Sequence, residues 1–247
     1  VSWLGDVYKR QGLSHIALTV ADPGDIVLVP DPCYPVFADG PRVAGARLSY
    51  MPLKKENDYL IDFSAIDPET ARRAKLMIVS YPNNPTCAIA PPSFYRELIE
   101  FARTYDIMVL HDNAYSELTF DGVKGGSFLS YPGAMDVGVE FNSLSKTYGM
   151  AGARVGFCLG NREMVEKLKL LKSNMDYGMF LPVQQAAIEA ITGDQSCVER
   201  TRKAYQRRRD ALCRSFAQAG WTIDPPKATM FAWAAIPKTF SSSQAFA

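Results

Sequence analysis

One lysine stands among residues that are suited to binding a phosphate. The stretch 141–157 reads Phe-Asn-Ser-Leu-Ser-Lys-Thr-Tyr-Gly-Met-Ala-Gly-Ala-Arg-Val-Gly-Phe. The hydroxyls of Ser143 and Ser145 and the guanidinium of Arg154 can hold a phosphate, and the glycines let the backbone approach a ligand closely. A solvated loop charge is the commoner role of a lysine, but these neighbours favour a chemical role for Lys146.

A lysine beside a phosphate-binding cup is what the cofactor pyridoxal 5'-phosphate requires for its Schiff base. The cofactor also needs a carboxylate against its pyridine nitrogen, which keeps the ring protonated and makes it an electron sink. Asp112 suits that role. Asn84 and Tyr115 can donate hydrogen bonds to the ring oxygen, and Tyr34 can stack on the ring.

Each of these residues also has a purely structural interpretation. An isolated aspartate such as Asp112 is more often the N-cap of a helix. Asn84 lies between prolines, where asparagine commonly forms turns, and Tyr34 is equally well explained as a packed loop aromatic. His111, beside Asp112 at a strand end, is more typical of a core residue, and we assign it no catalytic role.

The candidate residues follow the ends of predicted strands. Apolar runs predict strands at 26–29, 47–51, 75–80, 107–110, 137–141 and 155–159. Helical patterns lie between them and again at 161–172, 182–192 and 198–219. This alternation predicts an α/β domain with a mostly parallel sheet, in which ligands bind beyond the carboxyl ends of the strands. Five of the candidate residues follow such ends: Tyr34, Asn84, Asp112, Tyr115 and Lys146.

The composition argues against several function classes. The 247 residues include 27 Lys+Arg and 26 Asp+Glu, and a net charge of +1 gives no support for a nucleic-acid or membrane partner. Five cysteines without CxxC spacing and two histidines argue against a metal site or a disulfide framework. No apolar run of membrane-spanning length and no signal-peptide pattern is present. These features predict a metal-free protein in the reducing cytoplasm.

Four motifs resemble those of the class I/II aminotransferases of fold type I. They are Asp-Pro-Cys-Tyr-Pro at 31–35, Tyr-Pro-Asn-Asn-Pro-Thr at 81–86, His-Asp-Asn-Ala-Tyr at 111–115 and Ser-Leu-Ser-Lys-Thr-Tyr at 143–148. Within that family the chain is most similar to LL-diaminopimelate and aspartate-type aminotransferases. The resemblance extends from Gly12 to Ala247 and implies a three-layer α/β sandwich with a mostly parallel sheet, followed by the start of a small α+β domain.

The resemblance also implies a role for each candidate residue. Lys146 would form the Schiff base and then move a proton between the substrate α-carbon and the cofactor. Asp112 would pair with the pyridine nitrogen. Asn84 and Tyr115 would contact the ring oxygen, and Tyr34 would stack on the ring. The phosphate would be bound by Ser143, Ser145 and Arg154. The implied partners are an amino acid, a 2-oxo acid and a second copy of the chain in a homodimer active in amino-acid biosynthesis.

The two ends of the chain depart from the family pattern. Residues 1–11 resemble a translated sequencing-library adapter, and we interpret them as a scar outside the fold. We expect an N-terminally truncated cofactor domain at 12–195, and an interdomain helix with the start of a truncated small domain at 196–247. The family's phosphate loop and its substrate-binding arginine would lie outside these bounds. Cys87 replaces the usual glycine after Asn-Pro-Thr, which implies a small backbone adjustment.

Three alternatives to transamination remain open from the sequence. The same lysine chemistry serves β-lyases and decarboxylases, because substrate orientation selects the bond that breaks. A transcription regulator that senses the cofactor would carry a winged-helix module upstream. Finally, as a gene fragment the isolated chain could be inactive or unable to fold alone.

Overall fold

The computed structural model describes residues 2–7, 9–176 and 178–247. Seven strands form one sheet: β1 (Ser2–Val7), β2 (Ile26–Asp31), β3 (Arg47–Pro52), β4 (Ala74–Ser80), β5 (Met108–Asn113), β6 (Gly138–Ser143) and β7 (Gly156–Gly160). The α-helices of the described ranges are α1 (Lys9–Val20), α2 (Val36–Val43), α3 (Pro68–Arg73), α4 (Pro92–Tyr105), α5 (Ala134–Val137), α6 (Leu144–Thr147), α7 (Arg162–Met175), α8 (Leu181–Thr192), α9 (Ser196–Gln218) and α10 (Ser243–Phe246).

The sheet is mixed, with a parallel central part. Its strand order is β1-β7-β6-β5-β4-β2-β3. All neighbours from β6 to β3 are parallel, whereas β7 runs antiparallel to both β6 and β1. The order in which strands are added to the sheet reverses at β2, because β3 lies on one side of β2 and the next strand, β4, lies on the other. Such a switch point opens a crevice at the carboxyl ends of the strands.

Helices cover both faces of the sheet and bury two apolar clusters. One cluster joins β2, β4 and β5 to α3 and α4 through residues such as Met77, Val109 and Leu98. The other joins the opposite face to α1, α2 and α7. Strands buried on both faces read as continuous apolar runs, which is why the sequence pattern located them. The predicted three-layer α/β sandwich is confirmed.

Local sequence signals set the helix boundaries beside the sheet. Asp67 accepts hydrogen bonds from the backbone N and Oγ1 of Thr70, and Pro68 occupies the first position of α3. Helix α4 likewise begins at a proline, and its apolar residues at helical spacing pack on the sheet. It ends where Asp106 takes a left-handed conformation at φ +54°.

Three local features differ from the sequence interpretation. Lys146 lies on the single helical turn α6 rather than in an open loop. The predicted apolar run 137–141 contains Glu140, which is buried within β6. Backbone pairing places Ser2–Val7 in the sheet against β7, although residues 1–11 show no strand period. The origin of residues 1–11 as a scar stays a prediction.

The C-terminal region follows the long helix α9. Residues 221–242 contain little regular structure, and Ala228 pairs with Thr119 in an isolated antiparallel bridge. The division of the chain at residue 195 into two domains stays a prediction. Among the helices of the described ranges, none is both long and apolar enough to cross a membrane.

Candidate active site

All eight residues singled out from the sequence line one cavity of about 370 Å³. Its volume lies within the range of small-molecule sites. The complete lining consists of Tyr34, Asn84, Asp112, Ala114, Tyr115, Ser143, Ser145, Lys146, Ala151, Arg154 and Phe231.

The strand registers explain this convergence. Ser80 at the end of β4 pairs with Asp112 of β5, so the loop that carries Asn84 begins beside that carboxylate. Asn113 pairs with Asn142 of β6, one residue before Ser143. Parallel strands therefore deliver their carboxyl ends, and the loops that follow, to one edge of the sheet.

The helical turn that carries Lys146 begins with a side-chain N-cap. Ser143 ends β6 and acts as the N-cap of α6, where its Oγ accepts a hydrogen bond from the Ser145 backbone N at 3.2 Å. Leu144 packs with Val155 beneath the turn in an apolar cluster that includes helix α8. These contacts fix the backbone around Lys146 and leave its half-buried side chain at the cavity.

Arg154 reaches the same cup from the turn that precedes the antiparallel partner strand β7. Ser143 pairs with Gly156 across β6 and β7, which places Arg154 two residues from the paired position. Arg154 has φ +58° and an exposed side chain, and one guanidinium nitrogen donates to the carbonyl of Ala151. Two hydroxyls and one guanidinium thus lie beside the lysine, a combination that binds phosphate. The position of the family's other phosphate loop, expected before Gly12 and outside residues 12–247, stays a prediction.

Asp112 is a strand residue with little exposure. Its side chain belongs to β5, only 4% of the residue is accessible, and it lines the cavity. Turns follow it at 114–118, so Asp112 does not cap a helix and the N-cap interpretation is wrong. A carboxylate at the wall of a ligand cavity is suited to pairing with a protonated ring nitrogen.

Tyr115 is held as a neutral hydroxyl. Burial raises the pKa of its phenol, and the negative charge of Asp112 raises it further. A phenol with a raised pKa keeps its proton at neutral pH and can therefore donate a hydrogen bond to an anionic ring oxygen.

The turn that carries Asn84 is stabilised by its neighbour. Asn83 accepts hydrogen bonds through Oδ1 from the backbone N and Oγ1 of Thr86, at 3.0 and 2.7 Å. Asn84 is thus left to line the cavity. Cys87 has φ +64°, a left-handed conformation that glycine adopts more readily, which gives a physical reason for the family's glycine at this position.

Tyr34 combines its two sequence interpretations. Its ring packs edge-on against Phe37 of α2 with centroids 5.8 Å apart, and it also lines the cavity. The helix thus positions the aromatic ring at the site.

Sequence reasoning missed Phe231. Its ring lies edge-on to Tyr115 at 5.4 Å and closes one side of the cavity. The segment that carries it is tied to the sheet side of the site, because Thr229 N donates to Leu118 O and Phe120 N donates to Lys227 O, each at 2.8 Å. The aromatic stretch Met230–Trp233 was visible in the sequence, but its position depends on this long-range pairing.

Cys87 provides a second tie to the same segment. Its Sγ lies 3.2 Å from Thr229 Oγ1 and 3.6 Å from the carbonyl O of Phe231. The segment 227–231 therefore contacts both the Asn84 turn and the Tyr115 loop. We call it the strap.

A larger cavity of about 610 Å³ lies beside β3 and holds none of the predicted site residues. Two of its carboxylates, those of Asp62 and Asp67, already accept hydrogen bonds as helix caps. The smaller cavity at the strand ends is therefore the candidate active site.

Comparison with known proteins agrees with this geometry. Residues 10–247 match the profile of the family "aminotransferase class I and II". The chain is 49% identical over 235 residues to an LL-diaminopimelate aminotransferase of Moorella thermoacetica, covering 95% of the chain and 60% of that relative. It is 42% identical to the glutamate-pyruvate aminotransferase AlaC of Escherichia coli, covering 95% and 57%. The chain thus spans about three fifths of the length of the curated relatives that it matches.

Solved structures resemble the fold over nearly the whole chain. Substrate-bound BacF from Bacillus subtilis superposes with a TM-score of 0.93 at 41% identity, covering 99% of the chain and 62% of that structure. An aspartate aminotransferase of Thermus thermophilus superposes with a TM-score of 0.84 at 26% identity, covering 92% and 59%.

Proposed function

Because the chain belongs to the class I and II aminotransferase family, we propose that the protein is a pyridoxal-phosphate-dependent aminotransferase. It moves an amino group between an amino acid and a 2-oxo acid. The observation that carries the proposal is the convergence of Lys146 and the buried Asp112 on one cavity, together with the ring and phosphate contacts.

The residues around the cavity fit the cofactor. Asp112 would hold the pyridine nitrogen, while Asn84 and the neutral phenol of Tyr115 would donate to the ring oxygen. Tyr34 would lie against the ring, and the hydroxyls of Ser143 and Ser145 and the guanidinium of Arg154 would hold the phosphate. When bound, pyridoxal phosphate supplies an aldehyde for amine exchange and a protonated ring that accepts electrons.

Lys146 performs the proton movement. As a free amine, its Nζ would be the base that accepts the proton of the substrate α-carbon and the acid that gives it back. Such a base must be held close to the reacting carbon, and the capped helical turn fixes the backbone of Lys146 at the cavity.

Asp112 and Tyr115 would set the electronic state of the bound ring. The Asp112 carboxylate would stabilise a proton on the pyridine nitrogen. The phenol of Tyr115 keeps its own proton because its pKa is raised, and it would donate a hydrogen bond to an anionic ring oxygen.

Substrates, assembly and location are inferred from the relatives. LL-diaminopimelate and glutamate are the first amino donors to test, and pyruvate is the first acceptor, because the similar proteins carry those names. We propose 2-oxoglutarate as a further acceptor. We propose a role in amino-acid biosynthesis and a location in the cytoplasm. We infer a homodimer from the family resemblance, which light scattering of the protein from the complete reading frame tests directly.

A donor screen tests the reaction type. The protein from the complete reading frame is incubated with each amino donor, with and without a 2-oxo acid acceptor, and the products are followed by chromatography. A transaminase forms the new amino acid only when the acceptor is present. Release of pyruvate and ammonia without an acceptor identifies a β-lyase instead and overturns the proposal.

A further inference from the structure

A buried carboxylate lies behind the candidate active site. Glu140 sits in β6 with 3% of the residue accessible, between the apolar residues Val139 and Phe141. Burying a carboxylate is unfavourable unless several hydrogen-bond donors replace its water. Glu140 therefore needs several hydrogen-bond donors in the core, and the described residues supply them.

Three donors satisfy Glu140. His111 Nδ1 lies 3.0 Å from Oε2, and the backbone N of Phe128 donates to the same oxygen at 2.8 Å. Asn113 donates through Nδ2 to Oε1 at 3.1 Å. Burial alone raises the pKa of Glu140, but these hydrogen bonds outweigh it and hold the pKa below its ordinary value. The side chain thus stays ionised in the core.

Two of these donors flank Asp112 in the sequence. Successive side chains of a strand point to opposite faces, so His111 and Asn113 point toward Glu140 while Asp112 points toward the cavity. A change in the backbone direction at Asp112 would break the hydrogen bonds on either side of it.

The third donor closes the loop that carries Tyr115. Phe128 follows this loop, and Asn113 Nδ2 also donates to the carbonyl of Gly126 at 2.8 Å. Gly125 approaches so closely that a Cβ there would lie 1.8 Å from the carbonyl O of Ser116. Both ends of the loop are therefore joined to one carboxylate.

We propose that Glu140 is a positioning residue for the reaction: by holding His111, Asn113 and Phe128 it fixes the Asp112 carboxylate against the cofactor's pyridine nitrogen. This inference rests on the proposed function, because it needs the cofactor in the cavity. Glu140 itself lies on the opposite face of the sheet and acts through the strand end.

The test uses the Glu140→Gln variant of the protein from the complete reading frame. Glutamine keeps the shape but has one fewer acceptor oxygen, so at least one of the three donors loses its partner. Cofactor affinity is measured by titration with pyridoxal phosphate. The protonation of its ring nitrogen is read from the nitrogen NMR signal of ¹⁵N-labelled cofactor. We expect affinity to fall roughly tenfold and the signal to move toward the unprotonated position, because a displaced carboxylate forms a weaker charge-assisted hydrogen bond.

Leu98→Ala is the matched control. Leu98 is fully buried in α4 in the apolar cluster on the same face of the sheet, but it has no polar contact with β5. It should lower the melting temperature and leave the nitrogen signal in place. Asn113→Ala removes one of the three donors to Glu140, together with the hydrogen bond to the Gly126 carbonyl. It should shift the signal in the same direction as Glu140→Gln by a smaller amount, which keeps the test available if that variant does not fold.

The outcomes separate the inference from the proposed function. If the unmodified protein binds no pyridoxal phosphate, the proposed function is overturned and this inference with it. If it binds the cofactor but Glu140→Gln and Asn113→Ala both retain its affinity and nitrogen signal, the proposed function stands and the positioning role of Glu140 is wrong. A lowered melting temperature with an unchanged nitrogen signal means that Glu140 is only structural.

Discussion

The two sides of the cavity are constructed in different ways. Asp112 belongs to a central strand, is almost fully buried, and is flanked by residues that bind the carboxylate of Glu140. Lys146 lies on one turn of helix near the surface, half-buried and held by the Ser143 cap and a small apolar cluster. One side is a fixed part of the core and the other is a local addition to the end of a strand.

The difference matches the chemistry proposed for each side. A carboxylate that stabilises a ring charge works best when it is preorganised and cannot reorient. An amine that changes partners during each turnover must move its Nζ, so the protein fixes the backbone and leaves the side chain room. We therefore expect substitution of Asp112 or Lys146 to reduce activity strongly. Substitution of the residues that support them, Glu140 and Ser143, should reduce the stability of the fold by unequal amounts.

Lys146→Ala should have the largest effect on activity. The variant loses the amine that attaches the cofactor and moves the proton, so turnover should fall by about 10⁴-fold. Borohydride reduction followed by peptide mass mapping should find cofactor on the peptide containing Lys146 in the unmodified protein and none in the variant. Lys75→Ala, at an exposed position of β4, serves as the control. A cofactor adduct that persists in Lys146→Ala would contradict the assignment.

Asp112→Asn should come second. The amide keeps the size of the side chain but cannot hold a proton on the ring nitrogen by charge, and loss of a hydrogen bond to a charged group costs about 1.5–3 kcal/mol. Cofactor affinity and turnover should each fall by roughly 10- to 100-fold. Equilibrium dialysis measures the affinity, and Asp106→Asn at the exposed end of α4 is the control. An unchanged affinity would mean that Asp112 does not contact the cofactor.

The next prediction concerns the support beneath Asp112. Glu140→Gln should reduce the free energy of unfolding by about 2 kcal/mol at neutral pH, because a buried donor loses its partner. The pKa of Glu140 is lower in the folded protein than its ordinary value of 4.5. Its contribution is therefore complete above that value and disappears as the pH falls through the folded pKa.

Urea unfolding across a pH series measures this contribution. The difference between the unmodified protein and Glu140→Gln should be constant from pH 7 to about pH 5.5 and shrink below pH 4.5. A difference that grows toward acid pH would show that the carboxyl is protonated in the folded protein.

Substitution of Ser143, which caps the helical turn of Lys146, should have the smallest effect on the free energy of unfolding. Ser143→Ala deletes the N-cap of a four-residue helix, which typically costs about 1 kcal/mol. The same substitution removes a hydroxyl that we propose as a phosphate ligand, so cofactor affinity should fall while the melting temperature changes little. If Ser143→Ala destabilises the fold more than Glu140→Gln, the contrast between the two sides of the cavity is incorrect.

The sequence predicted the part of the site that depends on single strands and their ends. Apolar runs located β2, β4, β5 and β6, and the candidates selected near their ends, Tyr34, Asn84, Asp112, Tyr115 and Lys146, line the cavity. A one-dimensional pattern suffices there because parallel strands bring their carboxyl ends together whatever their order.

The remaining features depend on register and on distant pairing. A lone glutamate in an apolar run indicates a buried partner, but only the pairing of β5 with β6 identifies that partner as His111. Phe231 reaches the cavity through backbone bonds with residues 118–120, which no local pattern encodes. The single helical turn at Lys146 also escaped prediction, because four residues are too few to show a period.

The strap has a mechanical consequence. It is bonded to the loop that follows Tyr115, and through Cys87 it touches the turn that carries Asn84. Asn84 and Tyr115, the two residues proposed to contact the ring oxygen, are therefore both connected to the strap in the C-terminal region. A displacement of residues 227–231 relative to the sheet would therefore move the Asn84 turn and the Tyr115 loop together, and with them the two contacts proposed for the ring oxygen.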